Sequence, residues 1–265
     1  MASVAEGRQR RPDVPVAPFL LGFATVAGFL GLWEAAPRLG LVRPTSVFPF
    51  SWVAGEMWEV VQVPEFASNL GASATRWSIG LGLAIAIGVP LGILMGRSRA
   101  LFHAVDPLLV VSYPVPKAAL ILLLVLWWGA GNLSQVVIIV IGSLIPIVIS
   151  SYHGANAVEP RLVWSARGLG TSRVAALFKV VLPAALPQIL SGLRLAIAIS
   201  IFTLLASELL IRSSGIGAYM FTNLDIGLNL RVWALSVIIA LIGFALDFLY
   251  VHFVRRAFSW MEGEV

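Results

Sequence analysis

The chain of 265 residues contains no cysteine, which excludes disulfides and thiolate metal sites. Charge is nearly as scarce. Asp, Glu, Lys and Arg make up 12% of the residues, against roughly 25% in a soluble domain, and that excludes an ordinary water-soluble fold. There is no G-x-x-x-x-G-K-[ST] phosphate loop and no Gly-Lys pair anywhere, so the chain cannot bind a nucleoside triphosphate in that way. His103, His153 and His252 each stand alone at the expected edge of an apolar span. With no H-E-x-x-H and no G-x-S-x-G, no constellation for hydrolytic chemistry is present, and no cofactor is implied.

What the chain has instead is apolar length: 59% of its residues are hydrophobic. Segments near 20 residues suffice to cross a hydrocarbon core of about 30 Å, and six are found, at about 17–37, 77–96, 105–129, 133–151, 186–211 and 232–254. Runs this long satisfy their backbone only as helices. The expected fold is therefore an all-α membrane protein with six transmembrane helices in a single domain, 1–265. Trp33 and Glu34 stand where a cleaved leader would need small residues, so the first helix is expected to be retained.

The net charge of +5 is spread as short clusters at span ends. That pattern reports topology and points away from a nucleic-acid partner. With a cytoplasmic tail over 1–16, the inner side receives Arg8, Arg10, Arg11, Arg97, Arg99, Arg161, Arg167, Arg173, Lys179, Arg194, Arg255 and Arg256. The outer side receives only Arg38, Arg43, Arg76, Arg212 and Arg231. The expected topology is N-in, C-in, with 38–76 the longest external stretch. Within it, a helix over Trp52–Val63 is expected to lie at the interface, with Trp52, Met57 and Val60 on one face.

Three spans carry chemistry. The second places Gly80, Ala84, Gly88, Gly92 and Gly96 at every fourth position, a ridge of small residues that lets another helix approach closely. The third is broken by Pro114 and Pro116, and Lys117 follows at once. An ammonium there faces the protein interior or a pathway, which makes Lys117 the first candidate for lining an anion's route. Its alternatives are snorkelling or pairing with an internal carboxylate. Glu208 and Asp247, in the fifth and sixth spans, are further candidates for the path, or else partners of each other or of Lys117.

Between the fourth and fifth spans, residues 153–183 form a basic segment with Arg161, Arg167, Arg173 and Lys179. Pro160 starts a helix, Gly168 and Gly170 interrupt it, and Val174–Val181 resume it with Leu177 and Val181 on one face. Pro183 and Pro187 then lead into the next span. Two short helices bent at glycine are expected on the cytoplasmic surface.

The pattern Ala166, three residues, Gly170, nine residues, Val180, one residue, Leu182-Pro183 resembles the cytoplasmic loop signature of permease subunits of binding-protein-dependent ABC importers. The family's leading acidic position falls here on Trp164. The runs YPVPKAALILLLVLWWGAGNLS, LPAALPQILSGLRLA, SELLIRSSGIGAYM and IGFALDFLY, with a terminal SW, resemble the nitrate, sulfonate and taurine branch. That resemblance implies a type I importer permease of the bacterial inner membrane, whose loop is a coupling helix docked on an ATPase. Ala166, Arg167, Gly170, Arg173, Leu177, Leu182 and Pro183 are then the coupling residues. The implied partners are a cytoplasmic ABC ATPase dimer, an extracytoplasmic solute-binding protein, a second permease copy and membrane lipid. A small anion is the implied solute. A pyrimidine precursor or an aromatic acid fits the same family, and an ATP-independent secondary transporter is the reading outside it.

Overall fold

Long apolar runs become long helices. The computed structural model describes residues 16–43 and 46–258. All but the last residue of the expected tail 1–16, with Arg8, Arg10 and Arg11, and the terminal Ser259-Trp260 lie outside the described residues. No strand occurs among the described residues. The chain falls into two units, one ending at Gly55 and the other beginning at Glu56.

The first unit contains α1 (Val16–Arg38) and the opening turns of α2 (Phe50–Gln62). The Trp33 indole N–H donates to the Phe48 carbonyl at 3.0 Å, and Glu34 accepts from the Ser51 backbone N–H and hydroxyl, each at 2.9 Å. These contacts cap the exposed start of α2 with the end of α1. The expected face of α2 needs correction. Val53 and Val60, seven residues apart and so on one face, are buried, whereas Trp52 is 54% exposed.

The second unit is built on α3 (Pro64–Arg97), α6 (Asn132–Ala157) and α9 (Leu182–Ile211). A Cβ on Gly80 would lie 2.7 Å from Ile139, on Gly88 2.8 Å from Ile147, on Gly92 2.5 Å from the Val148 carbonyl, and on Gly96 2.8 Å from Ala155. The small-residue ridge of α3 therefore packs along α6 within the same chain, close enough to exclude any side chain at those four positions. On the other flank of α6, a Cβ on Gly192 of α9 would meet Ser150 at 2.3 Å. The three helices form one slab whose interior includes Ile147, Ala84 and Ala196.

Five helices among the described residues are long and apolar enough to cross a membrane, and a bent pair brings the number to six. That pair is α4 (Arg99–Ser112) and α5 (Lys117–Trp128), which meet at 100° across Tyr113–Pro116. Over 105–129 the prolines thus break the span as expected, and the break is a right-angled turn. Further along, α7 (Pro160–Gly168), α8 (Arg173–Ala176) and a π-helical turn over Leu177–Val181 lead into α9. After α9 come α10 (Ile216–Asp225) and α11 (Asn229–Ala257). The second span begins far earlier than expected. Pro64 sits at the first turn of α3, where its missing N–H costs nothing, so Arg76 belongs to the helix and not to the loop before it.

Candidate functional site

The segment between α6 and α9 folds as short helical pieces joined at a glycine turn, a bent arm with the shape of a lever. Pro160 opens α7, and its end is closed by a paired backbone motif: the Thr171 N–H donates to the Ala166 carbonyl at 3.1 Å and the Gly170 N–H to the Arg167 carbonyl at 3.0 Å. This 6→1 and 5→2 pair is the Schellman arrangement, which needs a left-handed residue at the position Gly170 fills with φ 87°. Ala166 and Gly170 are thus the two ends of one turn. Ser172 then caps α8, its hydroxyl accepting from the Ala175 N–H at 3.2 Å.

One face of the lever is fixed to the slab. Val181 is buried with Ile93, Ala155, Val158, Ala185 and Ile189, and Leu177, Leu182 and Val163 pack against that cluster. The other face is open. Arg167, Arg173, Lys179 and Pro183 are exposed, and the three basic side chains make no ion pair among the described residues. Beside them Trp164 is 67% exposed, Phe178 65% and Leu169 88%. Sequence reasoning noted Trp164 only as a departure from the family's acidic position and passed over Leu169 and Phe178, although the place of Phe178 off the Leu177 and Val181 face was a signal. It also missed the π turn, where one extra residue is accommodated just before α9; such turns recur at functional sites.

Lys117 starts α5 at the right-angled turn. Its ammonium donates to the Tyr113 carbonyl at 2.9 Å and lies 5.6 Å from the centre of the Tyr113 ring. It lines a cavity of about 580 Å³ with Tyr113, Pro146, Ser150, Phe202 and Thr203, drawn from the turn, α6 and α9. Among the described residues no carboxylate lines that cavity, so the ammonium sets its sign.

The two intramembrane carboxylates have other partners than expected; they pair neither with each other nor with Lys117. Glu208 accepts from the Arg76 Nη1 at 2.9 Å, from the Ser73 hydroxyl at 2.7 Å and from the Gly217 N–H at 3.0 Å, and none of it reaches the surface. Arg76 also donates to Asn132 Oδ1 at 2.7 Å, to the Ser214 carbonyl at 2.9 Å and to the Ser214 hydroxyl. The cluster ties α3, α6 and α9 to the turn before α10. That turn is shaped around the carboxylate: Gly215 has φ 108°, and a Cβ there would lie 2.1 Å from Glu208. Asp247 of α11 pairs with Arg194 of α9 through two contacts of 2.7 Å, both side chains being about half exposed.

The family profile for binding-protein-dependent transport system inner membrane components matches residues 88–259. The chain is similar to the taurine transport system permease protein TauC of Escherichia coli (strain K12), 32% identical over 250 residues that cover 92% of this chain and 90% of that protein. It is similar also to the putative aliphatic sulfonates transport permease protein SsuC of Bacillus subtilis (strain 168), 28% identical over 97% of this chain and 93% of that one. With the nitrate import permease protein NrtB of Leptolyngbya laminosa it shares 28% identity, over 91% and 86%. In fold it resembles a chain of the inward-facing MetNI methionine ABC transporter, with a TM-score of 0.64 at 16% identity over 72% of this chain and 95% of that one. A chain of the bacterial alginate ABC transporter, crystallised with an alginate-bound periplasmic protein, gives 0.57 at 15% identity over 91% and 95%.

Proposed function

The chain belongs to the binding-protein-dependent transport system inner membrane component family, and from that premise we propose that this permease carries a small anion delivered by a soluble binding protein and is driven by a separate ABC ATPase dimer. It is a multi-pass protein of the bacterial inner membrane and a transport component, with no phosphate loop of its own. In this reading the chain is N-in and C-in, the lever faces the cytoplasm, and a second copy completes the path.

The observation that carries the proposal is the lever itself, pinned on one face by Leu177 and Val181 and presenting unpaired Arg167, Arg173 and Lys179 with Trp164 and Phe178 on the other. Aromatic and arginine side chains exposed together suit a protein partner. The lever is continuous with α9: Arg173–Ile211 forms one helical run of 39 residues, about 58 Å at 1.5 Å per residue. An ATPase that closes on the lever therefore acts on a rod whose far end holds Glu208. For the ligand, the support is the ammonium of Lys117 in a cavity without carboxylates, together with the sulfonate, taurine and nitrate importers among the relatives. Glu208 and Asp247 act as fixed anchors, each held by an arginine.

The test is Gly170→Trp. At φ 87° any side chain costs about 1–2 kcal/mol, enough to undo the Schellman turn while leaving the spans intact. The variant inserts normally and co-purifies in wild-type yield, yet its complex with the ATPase loses solute uptake and transport-stimulated ATP hydrolysis. Wild-type uptake by that complex refutes the coupling role.

A further inference from the structure

At the opposite end of α3 from Pro64, a second cavity of about 480 Å³ opens between α3, α4 and the end of α6. Its lining includes Arg97, Arg99 and His103, with Asn156 and the ring of Tyr152, which stacks on Phe102 at 4.9 Å. The sharp turn at Ser98 brings the two arginines together: Ser98 is extended, its N–H bonds back to Met95, and its hydroxyl caps α4 through the Leu101 N–H at 3.3 Å. Neither guanidinium makes an ion pair or a hydrogen bond among the described residues, and no carboxylate lines the cavity. Asp106, three residues beyond His103 on α4, is outside the lining.

We propose that this cleft binds the headgroup phosphate of an anionic phospholipid of the cytoplasmic leaflet. Two guanidiniums that no carboxylate occupies among the described residues, with five donors each, match the oxygens of a phosphodiester. An imidazole and a carboxamide at the same mouth supply further polar contacts. The cleft lies at the end of α3, a helix long and apolar enough to cross a membrane, which puts it near headgroup level in the proposed topology, and a basic pocket between helix ends on that side recognises lipid phosphate by this chemistry. The stacked Phe102 and Tyr152 rings form a wall that suits the upper acyl and glycerol region. A lipid held there bridges the α3–α4 turn to the end of α6, the helix that leads into the lever. The assignment rests on the functional reading only for the choice of leaflet.

The experiment is native mass spectrometry of the full chain, released from nanodiscs of equal phosphatidylglycerol and phosphatidylcholine, with bound lipid counted by headgroup. Each guanidinium that holds a headgroup in the cleft contributes a factor of about five, so Arg97→Gln/Arg99→Gln lowers the preference of the bound lipid for phosphatidylglycerol roughly thirtyfold. Arg255→Gln/Arg256→Gln removes equal charge at the end of α11 and leaves the preference unchanged. Asn156→Asp keeps every arginine, and so the topology, yet places a carboxylate at the mouth and also abolishes the preference. An unchanged preference in either cleft variant, or an equal loss in the α11 variant, overturns the site. Displacement of the lipid by millimolar inorganic phosphate shows a free-anion site and overturns the lipid assignment. None of these readouts involves transport, so a failed lipid site leaves the permease reading untouched, and the reverse.

Discussion

Consider the removal of Arg76 and Glu208 singly and together. Arg76→Met leaves a fully buried carboxylate with only the Ser73 hydroxyl and the Gly217 N–H. Glu208→Leu leaves a guanidinium that is 4% exposed with no counter-charge, and takes the acceptor from Gly217. Breaking one side of a buried ion pair costs about 3–5 kcal/mol, so the singles sum to about 6–10 kcal/mol. The double variant removes the uncompensated charge. What remains are the unpaired polar groups that the two singles already create between them, the Gly217 N–H, the Ser73 hydroxyl, Asn132 and Ser214, at about 1–3 kcal/mol each; these cancel around the cycle, so the double costs less than the sum of the singles by the uncompensated-charge terms. The coupling energy is then at least about 2 kcal/mol, at the upper end for contacting residues. Reversible unfolding of the purified chain in mixed micelles, titrated with dodecyl sulfate and followed by circular dichroism, measures all three variants. Strict additivity, or single losses below about 1 kcal/mol, refutes the view that this cluster is a charge-compensated lock.

The glycines of α3 give a test with opposite signs for one substitution. Gly92→Ala pushes a Cβ to 2.5 Å from the Val148 carbonyl and destabilises by about 1–3 kcal/mol. Gly82→Ala, where nothing lies within 4 Å, stabilises by up to about 1 kcal/mol through helix propensity; equal effects in the same unfolding assay would sink the α3–α6 contact. Lys117→Met weakens anion transport by the reconstituted complex without loss of ATPase co-purification, and unchanged transport kinetics remove Lys117 from the path.

Periodic features were legible in the sequence. The four-residue spacing of small residues in α3 announces a close helix contact, because spacing along one helix fixes one face, and all four glycines meet α6. The lever was legible for a related reason. Pro160 and Gly170 act through their own backbones, so a start and a Schellman stop follow from local chemistry. The partner of α3 was not legible, since small residues say that something approaches and not what. The length of α3 escaped notice because Asn69, Ser73 and Arg76 lower its hydropathy near Pro64. They are polar for a reason visible only in three dimensions: each bonds to α9 or to the turn after it, across more than 130 residues of sequence. The same distance hid the partner of Glu208. Arg76 was assigned to a loop on the strength of its charge, although a buried arginine is stable inside a helix once a carboxylate and three further acceptors meet it.

Charge accounting inside the spans separates roles that the sequence left level. Glu208, Asp247 and Lys117 all entered as intramembrane charges able to line a path or to pair. Each carboxylate has an arginine at 2.7–2.9 Å, and an ion whose partner is fixed at that distance has little field left for a passing solute. Among the described residues Lys117 meets only the Tyr113 carbonyl and ring, which together bear no net charge, so the whole unit charge acts on the cavity it borders. At 4 Å and an effective dielectric near 20, such a charge attracts a monovalent anion by about 4 kcal/mol. That attraction is strong enough to select an anion against a neutral analogue. Spread over a cavity of about 580 Å³, it is weak enough to let the anion go, and the proposed path needs that balance more than it needs a tight site.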